Sequence, residues 1–160
     1  MKNVDLKRYQ DAQERTLKRS INVSALVSVV AFYPKLMRVD VQPLSMHLVN
    51  GTYQSQPPIL AVPVAGTRSG GFIMRPWVKE GDVGLVVYVD HDIDAVLLEG
   101  KETAPDTDRN HATSDAVYIG GIVIENEPLV EFEEKAAIIS TESGEVYAYP
   151  KKNGYSYARR

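Results

Sequence analysis

Two hydrophobic periodicities divide this chain. From Val4 to about Arg19, Leu6, Tyr9, Ala12 (or Gln13), Thr16 and Leu17 fall near one face at helical spacing. That pattern predicts one charged, weakly amphipathic helix, closed by Ser20 or Asn22. Its apolar stripe is thin. Alone it is marginal in water, so it needs a surface to dock on.

From Ile21 the period drops to two. Val23, Ala25, Val27 and Val29 alternate with Ser24, Leu26 and Ser28. Tyr33-Pro34-Lys35 supplies a turn, and Val39 and Val41, between Arg38, Asp40 and Gln42, supply the hairpin partner. The run from Pro43 to Pro58 reads as a strand extension ending in a loop. Ile59 to Ala65 reads as a short strand whose Pro63 puts it at an edge or a bulge. Gly66 to Gly71 reads as a flexible loop, and Phe72 to Met74 resumes the strand. Lys101 to Asp115 is polar without period, a surface loop. Val117 to Ile124 is the last strand, with Gly120-Gly121 suited to a bulge.

The block from Pro76 to Gly100 breaks the alternation. Lys79-Glu80-Gly81-Asp82 reads as a tight turn in which Gly81 takes positive φ. Val83 to Val89 is apolar on both faces, leaving no side for water. In so small a chain, such a strand lines a closed barrel, a subunit interface, or both. Asp90-His91-Asp92-Ile93-Asp94 then makes an acidic corner, read as solvated, before a second short apolar strand, Ala95 to Leu98, closed by Gly100.

The remainder changes texture. Phe132 sits among glutamates, Ala136 to Ile139 reads as an apolar strand, and Ser143-Gly144 as a turn. Val146 and Ala148 alternate with Tyr147 and Tyr149, and Asn153-Gly154 is a hairpin signal before Tyr155 and Tyr157. Tyrosine-rich strands with little aliphatic backing want a partner surface. The chain therefore divides into an N-terminal arm (1–20), a barrel (21–124) and a C-terminal β extension (125–160). Five or six short strands with an interrupted third fit a mainly β, OB-type Greek-key barrel, with a sandwich as the alternative.

Composition narrows the function. The chain has 160 residues, no cysteine and a net charge of −3, so it has no disulfide, thiolate metal site or cysteine nucleophile. A nucleic-acid binder usually carries a basic surplus. Here the basic residues gather at the two ends. No apolar run is long enough to span a bilayer, and the N-terminus is not signal-like.

Site-like motifs weaken on inspection. Asp106-Thr107-Asp108-Arg109-Asn110-His111 imitates a calcium loop but has His111 where glycine belongs and Val117 where glutamate belongs. Gly66 to Gly71 lacks the lysine and helix of a phosphate cradle. Ser114, His111 and Asp115 are neighbours in sequence, and a triad needs spatial arrangement. Trp77 reads as a core or interface anchor. The expectation is no enzyme, no catalytic residue, no metal and no cofactor. Trp77, Gly81, Leu85, Val87, Val89, Tyr147, Tyr149, Tyr155 and Tyr157 are the structural and interface candidates.

With the barrel laid out, a resemblance becomes specific. Asn22 to Pro34 leads into Val39-Asp40-Val41-Gln42-Pro43. Pro57 to Val64, Gly70-Gly71-Phe72, Val78 to Val86, Asp92-Ile93-Asp94 and Arg109 to Gly121 follow in order. Over roughly residues 20–122 this resembles the N-terminal OB-fold domain of phage baseplate central-spike proteins, which pierce the membrane in contractile tails. The resemblance implies a homotrimer in the virion's tail baseplate. A hub protein and a separate spike-tip protein would be its partners, and the host envelope its target. It implies no catalysis. Many such spikes continue into a long β-helix with a terminal His-x-His that holds iron. Here His47, His91 and His111 form no such pair, so a short β stub or a docking platform is expected. The rival reading is an OB module for single-stranded nucleic acid.

Overall fold

The computed structural model describes residues 2–127, 129, 139–144, 146–151 and 154–159. The chain forms two compact units, Met1–Ile122 and Val123–Arg160. In the first, helix α1 (Lys2–Ser20) precedes strands β1 (Ser24–Tyr33), β2 (Arg38–Pro43), β3 (His47–Val49), β4 (Thr52–Gln54) and β5 (Ile59–Pro63). Then come β6 (Thr67–Ser69), β7 (Phe72–Met74), β8 (Val83–Tyr88), helix α2 (Asp94–Glu99), a 3-10 turn (Thr113–Asp115) and β9 (Ala116–Gly121).

Five strands make one antiparallel sheet in the order β5-β2-β1-β8-β9. The sheet curls until its two edges touch. Val64 bridges Tyr118 in parallel, and the Ala65 amide donates to the Tyr118 carbonyl at 2.8 Å. A three-strand meander with two later strands added beside the first, and a parallel contact between the edges, is the OB-type order. The expected mainly β, OB-type barrel with an N-terminal helix takes the form of a curled five-strand half-barrel.

Alternation explains the core. Val27 and Val29 of β1, Val39 and Val41 of β2, Ile59 and Val62 of β5, Val86 and Tyr88 of β8, and Ala116 and Tyr118 of β9 all point inward and are buried. Such a core is stabilised at roughly 25 cal/mol per Å² of apolar surface removed from water. Gly84 faces Val27 across the β1–β8 pairing. Its missing side chain leaves room for the Tyr118 ring, whose Cε2, Cζ and Oη would overlap any β-carbon placed there.

Irregularities fall where proline and glycine foretold them. β5, which ends in Pro63, is a sheet edge. The β2–β5 register slips between Val39 and Val41, where Ala61 takes φ +54°. Asp40 holds that bulge: its Oδ1 accepts from the Ala61 amide at 2.7 Å, and its Oδ2 accepts from the Tyr33 hydroxyl at 2.9 Å. β9 bulges between Tyr118 and Gly120 opposite β8. Gly81 has φ +91°, and its amide donates to the Val29 carbonyl at 2.9 Å.

Three segments differ from their sequence reading. Ala95 to Leu98 is not a strand but the middle of α2, which ends at Gly100 in the left-handed conformation, its amide on the Val96 carbonyl. Residues 43–58 hold the β3–β4 hairpin around Asn50-Gly51. Gly66 to Gly71 is not a loop but most of the β6–β7 hairpin, turning at Gly70-Gly71. Residues 101–115 form the largely exposed loop expected, ending in the 3-10 turn and held through Thr107, Arg109 and Asp115.

In the second unit, β10 (Ile139–Ser140), β11 (Val146–Lys151) and β12 (Gly154–Arg159) form an antiparallel sheet in sequence order. Thr141 to Gly144 is the turn that Ser143-Gly144 announces, with the Gly144 amide on the Thr141 carbonyl at 3.0 Å. Phe132 and residues 136–138 of the expected strand lie outside the described residues.

Candidate functional site

Three features of this chain are candidate sites: the outward face of the central strands, the acidic corner after β8, and an open cleft beside the β3–β4 hairpin.

The outward face follows from the strand with two apolar sides. With Gly84, Val86 and Tyr88 turned inward, Val83, Leu85 and Val87 turn outward and remain half-buried. Leu26 pairs with Leu85 on one side, and Val117 with Val87 on the other. Ile119, in the bulge, and Ile122 add further exposed apolar surface. A continuous apolar stripe therefore crosses β1, β8 and β9 on the outside of the barrel. Val89 lies just past β8 and is also exposed.

Trp77 lies outside the core, with 77% of its surface exposed. Its ring meets Phe32 edge-to-face, centroids 5.5 Å apart. The core half of its expectation is corrected: Val78, not Trp77, fills the interior. Phe72, at the β6–β7 turn, is 82% exposed. Tyr147 and Tyr149 lie in β11, with Tyr155 and Tyr157 in β12. Tyr147 pairs with Ala158, and Ala148 with Tyr157. The surroundings of these four side chains lie outside what the structure describes.

The acidic corner is solvated at Asp90 and Asp94, whose side chains are largely exposed, but not at Asp92. Asp92 and Asp115 are buried, and both meet Arg109. Arg109 Nη2 lies 2.7 Å from Asp92 Oδ1, 2.9 Å from Asp115 Oδ1 and 3.0 Å from Asp94 Oδ2. Arg109 Nε donates to Asp115 Oδ2 at 3.0 Å, making a forked pair with that carboxylate. Thr107 Oγ1 donates to Asp92 Oδ2 at 2.7 Å, and the Asp94 amide to Asp92 Oδ1 at 3.0 Å. The Ile93 amide reaches Asp115 Oδ1 at 3.3 Å.

These contacts explain the electrostatics. The Asp94 amide, then the Thr107 hydroxyl, and the Arg109 charge behind them hold the Asp92 carboxyl below its ordinary range. Hydrogen bonds that Arg109 donates to Asp115 and Asp94 push it further toward its charged form. The network ties α2 and residues 101–115 to the barrel wall. With its acceptors already engaged by this chain's own donors, it is a clasp rather than a receptor.

The same geometry removes the triad arrangement. The Asp115 carboxylate is engaged by Arg109. His111 Nε2 faces Asp90 Oδ1 at 3.7 Å, and its buried Nδ1 has no hydrogen-bond partner. Among the described residues, no group of three or more His, Asp or Glu is placed to hold a metal ion. The cleft, about 440 Å³, is lined by Pro43, His47, Gln56, Ile59, Thr113 and Ser114 among others. Gln56 is committed to local contacts, its side chain donating to the Ser45 carbonyl at 2.7 Å.

The sequence reading sets Arg109 in a calcium-like loop and Asp115 in a triad; it does not foresee their pairing, nor the parts that Gly84 and Phe32 play. One signal was present for Arg109: it and Lys101 stand alone against eight carboxylates from Asp90 to Asp115.

The family of phage proteins described as the Phage protein Gp138 N-terminal domain matches residues 26–121, the half-barrel from β1 to β9. The chain belongs to this family. Membership points to a structural role in a phage, as a component of the virion. No curated protein matches the chain.

Proposed function

We propose that this chain is the central-spike or hub-tip protein of a contractile-tail baseplate and works as a homotrimer that helps puncture the host envelope. The observation that carries the reading is the apolar outward stripe of Leu26, Leu85, Val87 and Val117 on a barrel of a phage family. A contiguous apolar face on a soluble barrel marks an association surface. Three copies around an axis would bury it, making each β8 part of two cores. The action is mechanical: a stiff trimer passes the sheath's thrust to the envelope, joined to a hub on one side and a tip protein on the other. No residue performs catalysis, and no cofactor or nucleic acid takes part.

Sedimentation velocity at micromolar concentration tests the reading. Three times the chain mass is expected. Leu85→Glu with Val87→Glu should give single-chain mass while keeping the far-ultraviolet circular dichroism of the barrel. A wild-type chain that sediments as a monomer would sink the proposal.

A further inference from the structure

The charge imbalance of the chain is concentrated in two segments. Residues 2–20 hold six Lys or Arg against three Asp or Glu, net +3, while residues 89–109 hold seven against two, net −5. Everything else sums to −1. Each segment also presents apolar surface. Leu6 and Tyr9, one turn apart on α1, are 58% and 61% exposed, and Leu97 and Leu98 on α2 are 46% and 86% exposed. An apolar patch framed by one charge on the helix thus matches an apolar patch framed by the opposite charge on the lobe.

We propose that α1 of one copy docks on the α2 lobe of a second copy, so that the trimer is laced by exchanged N-terminal arms. This rests on the trimer reading above. The helix root favours exchange over folding back. The Asn22 side chain donates to the His111 carbonyl at 2.8 Å, and the Tyr88 amide donates to the Val23 carbonyl at 3.0 Å. The link between α1 and β1 is therefore fixed at the rim of its own lobe, and within one chain both apolar patches stay exposed. A bundle of three α1 helices is disfavoured, because each carries net +3 and polar Gln13 follows Tyr9 on the stripe. Opposite charges steer the helix to the lobe, and burial of Leu6, Tyr9, Leu97 and Leu98 holds it there.

The chain has no cysteine, so introduced thiols report alone. Full-length chains carrying Leu6→Cys or Leu98→Cys, under different tags, are co-expressed and treated with a short bismaleimide. A covalent pair joining the two tags is expected. It should fall several-fold when Glu99→Lys and Glu102→Lys are added to the Leu98→Cys chain, and weaken in high salt. A double-cysteine chain that closes only on itself would overturn the exchange. So would Leu6→Cys chains that join mainly to their own kind. Three-fold mass without the mixed product overturns the exchange and leaves the trimer standing, whereas single-chain mass overturns both.

Discussion

Gly84→Ala is the smallest change that tests how the barrel core is built. In an ordinary strand this substitution is favourable, because alanine loses less conformational freedom on folding, by about 0.5–1 kcal/mol. Gly84 reverses the sign. A β-carbon there meets Cε2, Cζ and Oη of Tyr118 inside van der Waals distance. Tyr118 is only 1% exposed and its backbone closes the barrel against Val64 and Ala65, so the ring has little room to withdraw. Forcing one methyl into a filled core costs about 1–3 kcal/mol. Net destabilisation near 1–2 kcal/mol is expected, equal to a urea midpoint lowered by roughly 0.5–1 M at m of about 2 kcal/mol/M. Circular dichroism during urea unfolding measures it. Gly84→Ala in a Tyr118→Leu background should be harmless or stabilising. Equal midpoints for wild type and Gly84→Ala, or the same loss in both backgrounds, would refute the ring-over-glycine account.

Other outcomes follow from the clasp, the turn and the outer face. Asp92 has a lowered carboxyl pKa in the folded chain, so its contribution is present above the unfolded value, about 3.9, and is lost as pH falls through the folded one. Melting temperature should therefore drop more steeply below about pH 4 in wild type than in Asp92→Asn. Arg109→Met should lower the melting temperature more than Arg109→Lys, because lysine keeps the charge between Asp92 and Asp115 but loses the fork. At Gly81 a side chain meets open space but φ is +91°, so Gly81→Val should destabilise by about 1–2 kcal/mol through strain alone. Trp77→Ala should leave monomer melting nearly unchanged while weakening association, as read by concentration-dependent sedimentation.

The barrel was legible because its strands alternate cleanly and its punctuation is chemical. Pro63 marked an edge, Gly120-Gly121 a bulge and Gly81 a left-handed turn, each for a stereochemical reason local to the residue. The errors lie where local signals are short or the cause is distant. Ala95 to Leu98 is too brief for period two and period 3.6 to be told apart. Asp94 ahead of the run and Gly100 behind it were the helix signals that should have decided it. Gly70-Gly71 was a hairpin signal hidden by arms of only three residues. The Arg109 clasp showed in sequence only as a cation in an acidic run, because Asp92 and Arg109 stand 17 positions apart and meet only when β8 and β9 are paired. Asp92 therefore looked as wet as its exposed neighbours Asp90 and Asp94.

The parallel bridge between Val64 and Tyr118 has a consequence for synthesis. β1 needs β8 as a neighbour, and the end of β5 needs β9, so a ribosome must finish Tyr88 before the first wall is covered and Tyr118 before the second. Until then the nascent meander of β1, β2 and β5 holds its valines open to water and to other emerging chains. Pairings this remote in sequence are slow to form. A chaperone that holds the meander until β8 and β9 emerge should raise the yield of intact barrels.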